Sequence, residues 1–380
     1  MHHTSKLPNV GTTIFTVMSQ LAAKENAINL SQGFPNFPSD PILIEMVQQA
    51  LRENYNQYAP MPGAVILREA IAEKMEYLYQ KTYNPATEIV VTAGATQAIF
   101  TIVSAFVRPE DEVIIFTPAY DCYAPAVEAH GGKVVPIQLQ GKAFSVDWDE
   151  VRSKISSKTK LMIINTPHNP SGTVLSKADM LELSSILEDT NIILLSDEVY
   201  EHIIFDGEQH QSAALFPKLA ERAFITASFG KTFHNTGWKM GYCVAPKELM
   251  DEFKKVHQFN VFSVNHPMQI GIGKYLKNPA HYLQLPAFFQ EKRDFFLHAI
   301  KDSRFTWTPS QGTYFQVLSY DNITNELDTE FAKRLTRENK IASIPLSVFN
   351  TNKEDHKLLR FCFAKTEETL EKAATILNKI

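Results

Sequence analysis

The chain has 380 residues, 44% hydrophobic and 21% charged, with a net charge of −5 and both signs mixed along it. This is ordinary globular composition; the lack of a basic stripe argues against nucleic acid as a partner, and the lack of a run of about 18 apolar residues argues against a membrane span. The three cysteines, Cys122, Cys243 and Cys362, are odd in number and far apart, which argues against a disulfide framework and fits a reducing compartment. With no charged-then-apolar signal pattern at the N-terminus, a cytoplasmic protein with more than one domain, or one large and one small, is expected.

In chain order, residues 13–23 carry apolar side chains at helical spacing. Residues 31–38 form a Gly/Pro turn whose Phe34 and Phe37 suit a pocket wall. Residues 41–54 and 67–80 read as amphipathic helices, joined by a loop that carries Tyr58. At residue 88 the texture changes. Residues 88–91 read as a strand, 92–97 as a turn of small residues, and 98–107 as a helix. Such a turn leaves free N–H groups at a helix N-terminus, which suits a phosphate, although a tight connection without a ligand reads equally well. Further strands are expected at 112–116, 133–137, 161–164, 191–195 and 223–227, with helices such as 177–189 between some of them. This alternation predicts a largely parallel sheet covered on both faces. The later chain mixes helices at 267–276, 287–301, 329–339 and 367–379 with strands at 305–307, 312–317 and 358–363. The expected division is an arm and part of a small domain at 1–40, a large domain at 41–280 and the small domain at 281–380.

Ser228-Phe229-Gly230-Lys231-Thr232 directly follows the 223–227 strand. Lys231 therefore sits at a strand's C-terminal end, where open α/β sheets bind ligands. Desolvation there lowers a lysine's pKa and makes its amine a nucleophile. The chemistry that needs this most is imine formation with an aldehyde, above all pyridoxal phosphate (PLP), whose phosphate Ser228 and Lys239 can hold. Asn169, Asp197 and Tyr200 also stand just past predicted strands. A partly buried Asp197 needs a cation to stay ionised, and a pyridinium nitrogen is one. Tyr200 and Asn169 can reach the ring's phenolic oxygen, and Tyr120 can stack on its face. Arg360, inside an apolar strand, needs an anion such as a carboxylate. Singly, each has a plainer alternative: Asp197 a helix N-cap, Tyr200 a core residue, Asn169 a turn residue, Arg360 an internal salt bridge.

Several segments together resemble the class I/II aminotransferases of PLP fold type I, and within them the methionine and kynurenine/glutamine branch. They include Asn29-Leu30-Ser31-Gln32-Gly33-Phe34-Pro35, Thr166-Pro167-His168-Asn169-Pro170-Ser171-Gly172, Ser196-Asp197-Glu198-Val199-Tyr200-Glu201, the Lys231 motif and Gly237-Trp238-Lys239-Met240-Gly241. The resemblance spans nearly the whole chain. It implies an α/β fold with a mostly parallel seven-stranded sheet between helices in the large domain, and a smaller α+β domain. It also implies that Lys231 carries the cofactor and moves the proton, with Asp197 at the ring nitrogen. Tyr200 and Asn169 would hold the ring oxygen, and Tyr120 would stack. Ala95, Thr96, Ser228 and Lys239 would bind the phosphate, and Tyr58 would reach it from the other subunit. Lys239 departs from the arginine that many members carry, keeping the charge without the fork. Arg360 would grip the substrate α-carboxylate beside Gly33 and Asn169.

A ping-pong aminotransferase is the expected activity, acting on an amino acid and a 2-oxo acid. Phe15, Phe34, Tyr58 and Phe262 are candidates for the side-chain pocket. No second arginine is identifiable there, so methionine is the expected donor rather than aspartate. Phe, Tyr, His, Leu, Gln and kynurenine are further candidates. The alternative is a cysteine-S-conjugate (C–S) β-lyase using the same lysine. A homodimer is expected because the resemblance places Tyr58 and Phe262 in the neighbouring subunit's site. A dinucleotide enzyme is weakened by the absence of a GxGxxG after a strand.

Overall fold

The computed structural model describes residues 4–380, so His2 and His3 lie outside it. Seven of its strands form the main sheet: β2 (Ile89–Thr92), β3 (Glu112–Thr117), β4 (Lys133–Gln138), β5 (Thr159–Asn165), β6 (Ile193–Asp197), β7 (Ala223–Ser228) and β8 (Gly241–Val244). The short strand β1 (Ile28–Asn29) lies outside that sheet. The order across the sheet is β2-β8-β7-β6-β5-β3-β4. β4, β3, β5, β6 and β7 are parallel, and β8 runs antiparallel between β7 and β2.

The central strands are apolar throughout because helices cover both faces. Alternate residues point to opposite faces of a strand. Val113, Ile115, Leu161, Ile163, Leu195 and Phe224 accordingly pack in one core with Ile99, Ile102 and Phe253 of the helices Ala95–Phe106 and Lys247–Asn260. Ile114, Met162, Leu194 and Ile225 enter a second core with Leu67, Ile71 and Met75 of the helix Val65–Tyr79.

A second, antiparallel sheet has the order β11-β12-β9, formed by β9 (Phe315–Ser319), β11 (Ile344–Pro345) and β12 (Leu358–Cys362). β1 pairs in parallel with β10 (Ile341–Ala342), which brings the N-terminal segment against the late chain.

Three expected elements differ. Residues 305–307 make a single bridge, Thr306 to Ser319, rather than a strand. The ladder stops there because the Thr308 carbonyl accepts from the Gln316 side-chain amide. The strand expected from 312 begins only at Phe315, because Thr313 has φ +63°, left-handed backbone outside the extended strand region. The helix expected over 329–339 is α-helical over Asp328–Arg334 and widens into a π turn over Leu335–Asn339. β8 has no counterpart in the periodicity reading. Its first residue, Gly241, reads as part of the Gly237–Gly241 turn, which leaves only Tyr242, Cys243 and Val244 as a run. Among the described residues, no helix is long and apolar enough to cross a membrane.

Candidate active site

β5, β6 and β7 end together at a cavity of about 310 Å³. Lys231 reaches it from the short helix Phe229–Thr232, which starts as β7 ends. Its Nζ donates to the Gly33 carbonyl at 3.0 Å. It lies 5.8 Å from the ring centre of Tyr200 and 5.7 Å from that of Tyr314. Burial lowers its pKa to about 8, and the charges of Arg360 and Lys239 push the same way. Lys231 is thus a half-buried amine with a lowered pKa at the end of β7.

Asp197 is the last residue of β6 and is buried. Its Oδ2 accepts from the Tyr123 hydroxyl at 2.6 Å, and its Oδ1 from Val199 N–H at 3.3 Å. Burial raises its pKa to about 6 in spite of these donors. It caps no helix: the chain continues from it as turns. Two donors and no cationic partner leave a carboxylate that a bound cation would hold ionised.

This shift has a measurable consequence in the cofactor-free protein. Between the ordinary value of 3.8 and about 6, the folded state holds the proton and the unfolded chain releases it, so stability falls as pH rises through that window. Cofactor-free Asp197→Asn is expected to gain on the order of 2–3 kcal/mol over the parent at pH 8, and little at pH 3. Thermal melts from pH 3 to 8 check this; a gap that stays constant across that range would contradict it.

Tyr200 is buried edge-on against Tyr314 and Phe315, with ring centres 5.3 and 6.0 Å away. Burial raises its hydroxyl pKa, so it stays a donor. Asn169 donates its N–H to Asn165 Oδ1 at 2.8 Å. Its own Oδ1 accepts from Arg360 Nη1 at 2.6 Å. Tyr120 lines the same cavity, edge-on to Tyr123 at 5.8 Å.

Arg360 lies on β12 and is only 1% exposed. Nη2 donates to the Ser31 carbonyl at 3.0 Å, and Nε has no partner among the described residues. Phe315 lies 3.8 Å from the guanidinium carbon, with Phe15 at 5.2 Å and Phe349 at 5.8 Å. The internal salt bridge is not what this guanidinium makes: its hydrogen bonds go to neutral oxygens. A buried charged N–H without an acceptor is costly, and an anionic ligand would relieve it.

At the opposite end, the helix Ala95–Phe106 starts right after Gly94 (φ +78°). Its first N–H groups, including those of Ala95 and Thr96, lack intrahelical partners. A Cβ at Gly94 would stand 3.5 Å from Lys239 Nζ, and one at Gly241 only 2.6 Å from the Ala227 carbonyl. The glycines thus let β8 close on the turn and bring the lysine to the helix N-terminus. Ser228, Ala95, Thr96 and Lys239 all line this end of the cavity. That donor set fits a phosphate.

Phe15, Gly33 and Phe34 also reach the cavity. Tyr58 and Phe262 do not. They form an exposed edge-to-face pair, with ring centres 5.2 Å apart, beside a separate surface hollow lined by Tyr58 and residues 263–267. Tyr123, Asn165, Tyr314 and Phe315 belong to the site and were not singled out from the sequence. Asn165 was findable: it ends β5, paired in register with Asp197 at the end of β6. Its Nδ2 donates to the Asp197 carbonyl at 2.9 Å. Tyr314, whose hydroxyl donates to the Gly33 carbonyl at 2.6 Å, comes from the late chain and has no local signal.

The cavity thus presents an amine with lowered pKa, a carboxylate awaiting a cation, an unpaired guanidinium N–H and a phosphate cradle. These fit a pyridine ring bearing an aldehyde and a phosphate, beside an amino acid carboxylate. Comparison with known proteins agrees. The family described as aminotransferase class I and II matches residues 25–377. The methionine aminotransferase of Escherichia coli is 48% identical over 377 residues, covering 99% of this chain and 98% of that protein. Human kynurenine–oxoglutarate transaminase 3 is 31% identical, covering 98% of this chain and 89% of that one. A crystal structure of an Escherichia coli protein identified as having a methionine aminotransferase function superposes with a TM-score of 0.98, at 48% identity over 100% of both chains. The chain belongs to the class I and II aminotransferases, transaminases that use pyridoxal 5'-phosphate.

Proposed function

We propose that this aminotransferase moves the amino group of an apolar or aromatic amino acid, methionine first, to a 2-oxo acid. One observation carries the reading: Lys231, Asp197 and Arg360 converge on a single cavity in which the Arg360 Nε has no partner. Methionine is supported by the 48% identity to a methionine aminotransferase and by the apolar walls Phe15 and Phe34.

When bound, PLP supplies an electron sink for the charge left on the substrate Cα. Arg360 receives the α-carboxylate through Nε and a guanidinium edge, while its three aromatic neighbours exclude water. That fixes Cα near Lys231. With its pKa at about 8, a useful fraction of Lys231 Nζ is neutral at neutral to mildly alkaline pH and accepts the Cα proton. Asp197, raised to about 6 by burial, would hold a cationic ring nitrogen and be kept ionised by it. Tyr200 and Asn169 would hold the ring oxygen, Tyr120 would stack on the ring, and Ser228, Lys239, Ala95 and Thr96 would hold the phosphate.

The same reading assigns Tyr58 and Phe262 to the site of a second subunit in a homodimer. Their exposure supports it, because neither serves the cavity of its own chain. It places the enzyme in amino acid biosynthesis in the cytoplasm. It divides the chain at residues 40 and 280 into an arm, a large domain around the seven-stranded sheet and a small domain. The β1–β10 pairing supports an arm that joins the small domain.

The test is an amino-donor panel with a fixed 2-oxo acid. Methionine is expected to exceed aspartate in kcat/KM by at least about 100-fold, since no second cation stands ready for a side-chain carboxylate. Aspartate as the best donor would overturn the substrate reading. Release of pyruvate and ammonia from an S-conjugate, without added 2-oxo acid and faster than transamination, would install the β-lyase instead.

A further inference from the structure

After β6 the chain leaves the sheet as two consecutive turns. Glu201 N–H donates to the Glu198 carbonyl at 2.9 Å, and Ile203 N–H to the Tyr200 carbonyl at 2.8 Å. A three-residue repeat sends residues 197 and 200 to one side and residues 198 and 201 to the other. Asp197 and Tyr200 face the cavity. Glu198 and Glu201 go into the interior, and both are buried.

Each buried carboxylate is fully engaged. Glu198 Oε1 accepts from the Ser196 hydroxyl at 2.8 Å and from Ala213 N–H at 2.9 Å, and Oε2 meets the His210 ring at 2.8 Å. Glu201 Oε1 accepts from Lys74 Nζ at 2.6 Å and from the Tyr242 hydroxyl at 3.1 Å. Its Oε2 accepts from the Tyr79 hydroxyl at 2.5 Å. Lys74 Nζ also donates to the Tyr242 oxygen at 2.8 Å, closing a ring of contacts. Burial alone would raise the Glu201 pKa, but Lys74 and the hydroxyl donors bring it down to about 2, so the carboxylate is ionised at neutral pH.

The network spans three elements. Lys74 and Tyr79 come from the helix Val65–Tyr79, and Tyr242 from β8, three residues after Lys239. An ion pair this deep is a poor source of stability, because desolvation offsets the Coulomb attraction and apolar residues of equal volume do as well. What it supplies is direction. Apart from Glu198 N–H, which donates to the Thr226 carbonyl, no main-chain bond ties residues 198–202 to the sheet. The position of Tyr200 is therefore set by its own ring contacts with Tyr314 and Phe315, by the tie of Ile203 to Thr313, and by the side chains of Glu198 and Glu201 on either side of it.

We propose that Lys74 and Glu201, closed by Tyr79 and Tyr242, are positioning residues: they place the Tyr200 hydroxyl relative to Lys239, so that one cofactor meets both. The proposal rests on the aminotransferase reading. Neither residue touches the cavity, and both act through Tyr200 and the β8 end of the phosphate cradle.

The test is the double variant Lys74→Met/Glu201→Leu, which removes both charges at similar volume, made in the parent and in Tyr200→Phe. The readouts are the melting temperature, the Kd for PLP, the pH midpoint of the bound cofactor's visible band, and kcat and KM for methionine. In the parent background the midpoint is expected to rise by about 0.5 unit or more, because a displaced hydroxyl no longer stabilises the deprotonated form. kcat should fall about 10–100-fold, with KM within about threefold. In Tyr200→Phe the double variant should add less than about 0.2 unit and twofold, because the group it positions is gone. Full additivity in that background, or a folded double variant with the parent's midpoint and kcat, would make the network structural only and overturn the proposal. Should the double variant not fold, Glu201→Gln and Tyr242→Phe carry the same readouts and the same decision. A parent protein without any visible band in the presence of PLP would overturn the aminotransferase reading and this proposal together. A parent band with unaffected variants would overturn the network alone.

Discussion

Lys231→Ala is expected to abolish turnover, with kcat lower by at least about 10⁴-fold, because one amine serves both as the covalent anchor and as the proton acceptor. No second amine takes its place: Lys239 lies at the phosphate end, beside Gly94. The visible band of the bound cofactor should be lost or displaced, while the protein stays folded. A companion variant, Lys231→Met, tests the electrostatics separately. Burial lowers the Lys231 pKa from 10.5 to about 8. Below pH 8 the amine is charged in both the folded and unfolded chain, and burying that charge costs stability in full. The cost fades as pH rises from 8 to 10.5 and is gone above it. Cofactor-free Lys231→Met should therefore be more stable than the parent at pH 7, on the order of 2–3 kcal/mol, with a gap that closes toward pH 10.5. Melts of the two proteins across pH 7–10.5 measure it. A variant that keeps turnover would remove Lys231 from the mechanism; one with a pH-independent gap would remove the desolvation argument.

The second large effect is at Arg360. Arg360→Gln is expected to lower kcat/KM for methionine by about 10³-fold, the loss that follows when a buried charge pair loses one partner. Arg360→Lys should recover only part of it, remaining about 10²-fold down, because a point charge cannot reproduce the Nε–Nη edge. The lysine would also abandon the Phe315 face 3.8 Å from the guanidinium. Both variants should still bind PLP, weakened at most a few-fold through the Asn169 contact that Nη1 makes, because the phosphate end of the cavity is held by other residues. The diagnostic comparison is a simple amine without a carboxylate. Its rate should fall far less than that of methionine, through the small change at Lys231 alone, so the preference for the amino acid collapses. If the amine lost as much as methionine, Arg360 would be supporting the site generally rather than gripping a carboxylate.

Much of this was legible along the chain. The strands at residues 89–92, 112–117, 133–138, 159–165, 193–197 and 223–228 show as short apolar runs because a sheet covered on both faces needs no polar side. Strand ends then pointed to Asn169, Asp197 and Lys231. Gly94, needed at φ +78° before the helix Ala95–Phe106, stood in a turn of small residues that reads as a phosphate site. Thr313 was not legible in the same way: its left-handed backbone delays β9, and nothing in a threonine announces that. β8 opens on Gly241, which reads as the end of a turn, so the strand did not show, yet it seats Tyr242 and follows Lys239.

The sequence by itself determined the layered α/β architecture, the family and the residues at strand ends, because period, burial and local turn chemistry act over a few neighbours. Tertiary structure alone decided which distant residues complete them. Tyr123 meets Asp197 across 74 positions, Arg360 meets Asn169 across 191, and Tyr314 meets Gly33 across 281. Such pairings have no local signature, since a hydrogen bond depends on where two backbones meet in space and not on the residues beside either partner.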